Sequence, residues 1–234
     1  MKKLAALFAL FVPLTTFSEP PKTFTQAKKQ ARVMFAFQRE TLYCKCKFDA
    51  RLRVDLASCN MQSASRFKRA RVIEYEHMMP AENFGNHFQC WREPLCIKKN
   101  GKRFKGRKCC EKIDKQFRQA EGELYNLWPA VGLVNGARSN FRYDKLEKHS
   151  LFYGCPITID KDSRRVEPAD YAKGIVARAN LFMAYKYGIK LSQAQCTLFT
   201  IWDKQFPPAA NEKWWAEAVE KIEGYPNPFI KNHQ

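Results

Sequence analysis

The chain has 234 residues, which suffices for one domain of ordinary size with a buried core. Its formal charge is +18, which has no bearing on the fold but favours an anionic partner: nucleic acid, acidic lipid or polysaccharide. The alternative is a basic protein that self-repulsion keeps soluble. Beyond the N-terminal segment no stretch is long and apolar enough to span a membrane, so we expect a soluble mature protein.

The N-terminus has the pattern of a secretory signal peptide. Lys2 and Lys3 precede an uncharged run over residues 4–12, and Thr16 and Ser18 place small residues near a cleavage site. The run is too short for a permanent anchor. We therefore predict a signal peptide over residues 1–18, a single mature domain over residues 19–234, and a periplasmic or secreted location.

Nine cysteines follow the predicted signal peptide. In an exported chain they indicate a disulfide framework, with at least one thiol left over because the count is odd. Zinc is a weaker explanation, since C-x-x-C spacing is missing. The cysteines are Cys44, Cys46, Cys59, Cys90, Cys96, Cys109, Cys110, Cys155 and Cys196.

The first predicted element of the mature chain is a helix over residues 26–40. Thr25 is a typical N-cap residue, and Ala27, Ala31 and Met34 recur at helical spacing, which leaves a basic outer face. The segment 42–48 is short, aromatic and cysteine-bearing. This composition indicates a strand or a loop tied by disulfides.

Residues 71–77 read as a strand that Pro80 terminates. Glu76 and His77 then lie at the strand end. Active residues favour such positions, because the sheet fixes the backbone while the side chains reach a cleft.

A basic insert over residues 97–108 contains two glycines and seven cations, which predicts a flexible, exposed loop. One explanation is a solvated charge run. We favour the other, an arm that contacts phosphates, because lysine and arginine give sequence-independent affinity for nucleic acid. The predicted contacts are Lys98, Lys99, Lys102, Arg103, Lys105 and Lys108, together with Arg107.

The remainder of the chain is predicted to be mainly helical. Helical spacing indicates helices over residues 114–125, 133–140 and 192–205, and a last helix that centres on residues 214–222 and ends at Gly224. A longer helix is expected to open at Pro168, because proline fits a first helical turn, and to end at Gly188. The three helices from residue 168 onward are most simply explained as core-forming.

The residue types around the predicted strand end suit hydrolysis of a phosphodiester. His77 can take a proton from water near neutral pH. Glu76 and Asn135 supply two oxygen ligands for Mg²⁺, which keeps much of its hydration shell, and Arg107 can bind the phosphate through its planar fork. Spacing alone does not prove this, because a Glu-His pair also occurs by chance and Asn-Gly is commonly a turn.

At these positions the sequence resembles the bacterial endonuclease I family of periplasmic or secreted DNases. The most specific match combines Glu-His at 76–77 with Val-Asn-Gly-Ala-Arg-Ser-Asn at 134–140. Further matches are Glu-Tyr at 74–75, Gln-Cys-Trp at 89–91, Gly-Arg-Lys-Cys-Cys at 106–110, and segments near residues 24, 43 and 174. The likeness is scattered over most of the mature chain.

The resemblance implies an α+β fold with a ββα-metal (His-Me finger) core, additional packed helices and disulfide stabilisation. It implies that His77 is the general base, that Glu76 and Asn135 bind the metal, and that Arg107 binds the cleaved phosphate. It also implies cleavage of DNA with little sequence preference, 5′-phosphate products and, for some members, cleavage of RNA.

Three features depart from the family pattern. Tyr125 replaces the usual histidine before Asn126, Cys109 stands where the family has asparagine, and the insert is longer than usual. The resemblance also implies cysteines near the C-terminus, whereas no cysteine follows Cys196 here, so the family disulfides cannot be transferred as a set. We expect an additional pair, Cys96 with Cys109, because both flank the insert; the alternative is that Cys109 is the free thiol.

The leading hypothesis is an exported, monomeric, Mg²⁺-dependent endonuclease that acts on DNA, with RNA as a further substrate and Mn²⁺ or Ca²⁺ as alternative ions. The second hypothesis is a non-catalytic basic DNA-binding protein on the same scaffold. The third is a cationic, disulfide-rich effector that acts on membranes, which would require a basic amphipathic helix with large exposed apolar residues.

Overall fold

The computed structural model describes residues 19–233, so the predicted signal peptide over residues 1–18 lies outside the described part. The described chain is a mixed α+β structure with many helices and three small sheets. The helices are α1 (Phe24–Met34), α2 (Ala81–Gly85), α3 (Gln89–Arg92), α4 (Arg107–Ile113), α5 (Lys115–Gly122), α6 (Gly132–Arg138), α7 (Asp170–Tyr187), α8 (Gln193–Gln205), α9 (Ala210–Glu223) and α10 (Pro228–Lys231). The strands are β1 (Ile73–His77), β2 (Cys96–Ile97), β3 (Arg103–Phe104), β4 (Leu127–Val131), β5 (Arg142–Tyr143), β6 (Ile157–Asp160) and β7 (Arg165–Pro168).

Strand β1 pairs with β4 in an antiparallel two-stranded sheet, and β4 continues directly into α6. In this register Glu76 lies opposite Trp128 and His77 opposite Leu127. Every residue of β4 is buried, so this strand anchors the sheet in the core while the end of β1 reaches a cleft.

The two residues after β1 enter different hydrophobic clusters. Met78 packs in the larger cluster, which includes the aromatic side chains of Trp128 and Trp215. Met79 packs in a smaller cluster with Phe84 and Phe117. The end of β1 is therefore fixed at the junction of two packed regions, which limits backbone motion where the candidate site residues lie.

Four disulfides confirm the predicted framework. Two tie the segment around residues 44–46, Cys44 to Cys155 and Cys46 to Cys59, and the other two are Cys90–Cys110 and Cys96–Cys109. The predicted Cys96–Cys109 pair is thus confirmed, and Cys196 is the free thiol. Disulfides in this number are typical of proteins that fold in an oxidising compartment.

The first helix differs from its prediction at both ends. Its N-cap is Thr23, whose hydroxyl accepts a hydrogen bond from the backbone N–H of Gln26, so Thr25 lies within the helix. The helix ends at Met34 instead of residue 40. Beyond it, the backbone carbonyl of Arg39 accepts from the N–H of Phe48, so long-range pairing replaces the helical hydrogen bonds.

The basic insert is largely exposed, as predicted, but it forms regular structure instead of a loop. It forms the β2–β3 hairpin, with Cys96 opposite Phe104, and then enters α4 at Arg107. The two disulfides at Cys109 and Cys110 fasten the hairpin and α3 to this helix. The Cys96–Cys109 cross-link removes chain entropy from the unfolded state, which opposes the flexibility that the two glycines of the insert favour.

The C-terminal helices follow the predicted periodicity with one correction. Pro168 does not open a helix; it is the last residue of β7, opposite Ile157, and α7 begins at Asp170. Proline is tolerated there because β5 pairs with β7 only as far as Val166, so Pro168 has a neighbouring strand on one side alone. Gly188 and Gly224 end α7 and α9 in left-handed conformations, at the positions where helix ends were predicted. No helix in residues 19–233 is long and apolar enough to cross a bilayer.

Candidate active site

A cleft of about 860 Å³ opens at the C-terminal end of β1. Four residues predicted from the sequence line it together: Glu76 and His77 from β1, Arg107 from the first turn of α4, and Asn135 from α6. They come from three elements separated by up to about 60 residues, and the pairing of β1 with β4 brings α6 back beside β1.

His77 is held in one tautomer by a backbone carbonyl. Its Nε2 lies 2.8 Å from the carbonyl oxygen of Glu121, which can only accept, so Nε2 donates and Nδ1 carries the lone pair. Burial, reinforced by the charge of Arg107, lowers the pKa of His77 to about 3. The rings of Phe24 and Phe84 flank the imidazole at centroid distances of 4.6 and 6.0 Å. The side chain is therefore a neutral base at neutral pH.

Glu76 is buried, and its charge is compensated on one oxygen. Oε1 accepts a hydrogen bond from the Tyr43 hydroxyl at 2.7 Å and lies 2.9 Å from Nη1 of Arg138. Oε2 takes part in neither contact. Burial raises the pKa of Glu76, while Arg138 and the Tyr43 hydroxyl oppose that shift. The arrangement supports a buried carboxylate with one oxygen free to bind a ligand.

Arg138 also fixes the end of β1. Its guanidinium donates to the carbonyl oxygens of His77 at 3.1 Å and Met78 at 2.8 Å, and it lies over the ring of Tyr143 at 4.5 Å. Sequence reasoning assigned no role to Arg138 or Tyr43. Arg138 lies inside the Ala-Arg-Ser-Asn segment, which was a usable signal, whereas nothing local to Tyr43 indicated contact with Glu76.

Asn135 is oriented by a carboxylate on β1. Its Nδ2 donates to Oε2 of Glu74 at 2.9 Å, and Glu74 in turn forms a two-pronged ion pair with Arg69. Glu74 and Glu76 are two residues apart on a strand, so their side chains lie on the same face. Sequence reasoning assigned no role to Glu74 or Arg69.

Arg107 enters the cleft as the first residue of α4. Gly106 precedes it with φ of +89°, a conformation that glycine adopts readily and that turns the chain from the hairpin into the helix. Nε of Arg107 lies 2.5 Å from Oε1 of the buried Glu121 carboxylate and 3.5 Å from Oε1 of Glu111. Both ion pairs use Nε, so the two Nη groups remain for another partner.

The other predicted nucleic-acid contacts lie outside the cleft lining. We call Lys98, Lys99, Lys102, Arg103, Lys105 and Lys108 the insert cations; they lie on the β2–β3 hairpin, its flanks and the first turn of α4. Their predicted role in binding nucleic acid stays a prediction.

Helix α1 supplies cations that do line the cleft. We call Lys28, Lys29 and Arg32 the cleft cations. Among residues 19–233 none of the three forms an ion pair with a carboxylate; Arg32 donates to the carbonyl of Ala50, and Lys28 lies over the ring of Phe24. The sequence indicated the basic face of this helix but not its position beside His77.

The oxygen atoms of the cleft fit a hard divalent cation. Within the described residues no group of three or more His, Cys, Asp or Glu side chains forms a metal cluster. Glu76 and Asn135 instead present one carboxylate oxygen and one amide oxygen that their protein partners leave free. Two oxygen ligands completed by water suit Mg²⁺, Ca²⁺ or Mn²⁺ better than Zn²⁺ or Cu²⁺, which favour nitrogen or sulfur ligands.

Tyr125, the departure from the family histidine, belongs to the core. Its ring packs against Phe182 and Trp215, and its hydroxyl lies 3.2 Å from the carbonyl oxygen of Ala216. The neighbouring Asn126 makes the contact that supports the site: it hydrogen-bonds both the N–H and the carbonyl of Met79, which follows the end of β1.

Comparison with known sequences decides the family. The endonuclease I model matches residues 21–234. The chain belongs to the endonuclease I family. Its similarity to an extracellular deoxyribonuclease of Aeromonas hydrophila is 36% identity over 215 residues, 90% of this chain and 89% of that protein.

Two further relatives agree with this family. A periplasmic deoxyribonuclease of Aeromonas hydrophila is 34% identical over 230 residues, 95% of this chain and 91% of that protein. Endonuclease-1 of Buchnera aphidicola is 36% identical over 197 residues, 82% of this chain and 74% of that protein. The family predicted from the residues is therefore confirmed, and the likeness extends well beyond the short motifs.

Proposed function

We propose that the protein is an exported, metal-dependent endonuclease that hydrolyses phosphodiester bonds of DNA with little sequence preference. The observation that carries this proposal is the His77 imidazole, whose protonated Nε2 is bound to the Glu121 carbonyl so that Nδ1 is free in the same cleft as Glu76 and Asn135. The named activities of the relatives, extracellular and periplasmic deoxyribonucleases, support DNA as substrate and export. The four disulfides support export as well.

The antiparallel β1–β4 pair followed by α6 supports assignment to the ββα-metal class. In this arrangement Glu76 and His77 come from the first strand and Asn135 from the helix. Glu76 and Asn135 would hold the cation. Mg²⁺ bound there supplies charge stabilisation on the phosphate and on the leaving oxygen.

The chain's own groups account for the rest of the reaction. Nδ1 of His77 takes a proton from a water molecule as its oxygen bonds to phosphorus. The bond from phosphorus to the 3′-oxygen breaks, the leaving oxygen takes a proton from solvent, and a 5′-phosphate remains. The Nη groups of Arg107 bind the phosphate oxygens, while Glu121 fixes the guanidinium through Nε.

The cleft accepts DNA through charge and not through base recognition. The cleft cations and Arg107 line one continuous space, and contacts of this kind bind phosphates without reading sequence. RNA has the same phosphates, so cleavage of RNA is a further expected activity. We expect the enzyme to act as a monomer.

Plasmid nicking tests this function. The oxidised mature protein should nick supercoiled DNA with Mg²⁺ and stop when EDTA is added. His77→Ala should lose about 10²–10⁴-fold in rate because the general base is missing, with DNA affinity close to wild type. The matched control is His87→Ala, at an exposed histidine outside the cleft lining, which should nick normally.

Two outcomes would end the proposal. If the wild-type protein binds DNA but does not nick it in Mg²⁺, Mn²⁺ or Ca²⁺, the protein is a basic DNA-binding module. If His77→Ala nicks at the rate of His87→Ala, His77 is not the general base.

A further inference from the structure

A chain of polar contacts links the surface of the protein to the amide of Asn135. Arg69 donates from Nε to Oε1 of Glu74 at 2.9 Å and from Nη2 to Oε2 at 2.7 Å. The same Oε2 accepts from Nδ2 of Asn135 at 2.9 Å. A carboxylate only accepts, so this contact selects one of the two amide orientations of Asn135 and turns Oδ1 away from Glu74.

Both oxygens of Glu74 are committed to these contacts. Glu74 is therefore unsuited to bind a cation directly, although it lies on the same strand face as Glu76. Its geometry suits an indirect role, in which it fixes the atom that Asn135 presents.

Two glycines of α6 make room for this chain of contacts. A Cβ on Gly136 would overlap the guanidinium of Arg69, and a Cβ on Gly132 would lie 2.8 Å from Oε1 of Glu74. These glycines stand one residue after and three residues before Asn135. The helix that carries Asn135 is thus shaped to accept the Arg69–Glu74 pair against its backbone.

Stability alone is a weak reason for such an arrangement. The side chains of Arg69 and Glu74 are 56% and 33% exposed. Ion pairs with this exposure contribute little to folding. Glycine is also less favourable than alanine within a helix, so the two glycines of α6 do not add stability.

We propose that Glu74 and Arg69 are positioning residues that hold Asn135 with Oδ1 facing the cation site beside Glu76. This inference rests on the proposed metal-dependent function. Arg69 orients the Glu74 carboxylate, Glu74 selects the amide orientation of Asn135, and the two oxygen ligands are preformed before the cation arrives. Partners that orient a ligand in this way typically change metal affinity by about 10–100-fold when they are removed.

Direct cation binding tests the inference without DNA and without turnover. Mn²⁺ and Mg²⁺ are titrated into the oxidised mature protein by calorimetry, and the free energy of unfolding is measured in parallel. Glu74→Gln should weaken Mn²⁺ binding by about 10-fold or more, because one acceptor oxygen cannot serve both Arg69 and Asn135. Arg69→Gln should weaken it by a smaller factor, since Glu74 remains.

Arg71 provides the matched control. It lies in the same 3₁₀ turn as Arg69, but its guanidinium donates to the carbonyl of Ser65. Arg71→Gln removes the same charge from the same surface and should bind Mn²⁺ like wild type.

An exchange of donor and acceptor separates positioning from a structural role. Asn135→Asp alone sets two carboxylates against each other and should bind the cation weakly. Combined with Glu74→Gln, it restores one donor and one acceptor with reversed polarity and still presents an oxygen to the cation. The double variant should recover most of the affinity, to within about threefold of wild type.

The outcomes distinguish failure of the inference from failure of the function. If wild type binds the cation and Glu74→Gln binds it equally well, the positioning role is wrong and the nuclease assignment stands. If Glu74→Gln and Asn135→Asp each weaken cation binding and the double variant binds more weakly than either, the contact between residues 74 and 135 is only structural. If wild type binds neither cation, the metal-dependent function itself is wrong.

Discussion

The backbone carbonyl oxygen of Glu121 lies 2.8 Å from Nε2 of His77. The carboxylate of the same residue lies 2.5 Å from Nε of Arg107. One buried residue at the end of α5 therefore orients the candidate base through its backbone and the candidate phosphate ligand through its side chain. A mutation of Glu121 can separate these two roles, because it leaves the carbonyl in place.

We expect Glu121→Gln to lower the cleavage rate by about tenfold. The change weakens the ion pair that positions Arg107, and small displacements of a positioned group cost rate. The pH profile of cleavage should keep its shape, because the Glu121 carbonyl still sets the tautomer of His77. Glu111→Gln is the control, since Glu111 lies farther from Arg107 at 3.5 Å. Steady-state nicking of a labelled duplex measures both; equal rates for the two variants would contradict the role of Glu121.

The Cys96–Cys109 disulfide should stabilise both the fold and the position of Arg107. A closed loop of this size is worth about 3 kcal/mol in the chain-entropy model, so replacing both cysteines by serine should lower the free energy of unfolding by about that amount. Cleavage should fall as well, since Arg107 begins the helix that the bond fastens. Cys196→Ser, at the free thiol, is the control and should match wild type in urea unfolding and in nicking.

The cleft cations and the insert cations should differ in their effects on DNA. Each phosphate contact releases a counterion and contributes about −0.9 to the slope of log affinity against log salt. Replacing the three cleft cations by alanine should flatten this slope and also slow single-turnover cleavage at saturating DNA, because these side chains line the same cleft as His77.

Replacing four insert cations, Lys98, Lys99, Lys102 and Lys105, should flatten the slope and leave single-turnover cleavage largely unchanged. These side chains lie outside the cleft lining, so they can contribute affinity but not alignment at the cut bond. Binding is measured in Ca²⁺ or without metal, wherever cutting is absent. A slope identical to wild type would show that the insert is only a solvated charge run.

The buried carboxyl groups of Glu123 and Glu223 should lower the free energy of unfolding as pH rises. The Tyr225 hydroxyl lies 2.9 Å from Glu123 and 3.1 Å from Glu223, and it has one proton to donate. Tyr187 also donates to Glu123, and Lys186 is the nearby cation. Burial first, and then the charge of Glu123, raise the pKa of Glu223 to about 8. The folded protein thus keeps a proton that the unfolded chain has released.

The proton held by Glu223 sets the direction in which the free energy of unfolding changes with pH. Between the ordinary pKa of 4.5 and the raised value of about 8, the folded state binds more protons than the unfolded state, so the free energy of unfolding decreases as pH rises. The loss is at most about 1.4 kcal/mol per pH unit, and it levels off above pH 8.

Urea unfolding at pH 7 and pH 8 measures this loss, because above pH 6.5 His77 is neutral in the folded and in the unfolded state and no longer adds an opposite change. Glu223→Gln should reduce the difference between the two pH values, because an amide cannot release the proton. Glu220→Gln, on the same helix but in a surface ion pair with Lys231, should keep the wild-type difference. An equal difference in all three proteins would assign the pH dependence to other groups.

Local patterns in the sequence predicted much of the architecture. The apolar periodicity of α7, α8 and α9 and the glycines at 188 and 224 indicated helices whose ends the structure places within a few residues of the prediction. The same patterns misplaced α1 and Pro168, because Thr23, Thr25 and Pro168 each fit more than one local role. Capping and periodicity act over a single turn, so they predict that an element exists better than where it begins.

The sequence by itself determined which residue types meet in the cleft. The Glu-His pair, Arg107 and the Asn-Gly-Ala-Arg segment are recognisable because the chemistry at a phosphodiester limits the side chains that can serve, and the structure places the four predicted residues around one space. Only the tertiary structure decided which atoms they present. Oε1 of Glu76 is occupied by Tyr43 and Arg138, and Nε2 of His77 by the carbonyl of Glu121. These partners lie 33 to 62 residues away in the chain, and a buried charge or imidazole is satisfied by whichever group the fold brings within hydrogen-bond distance.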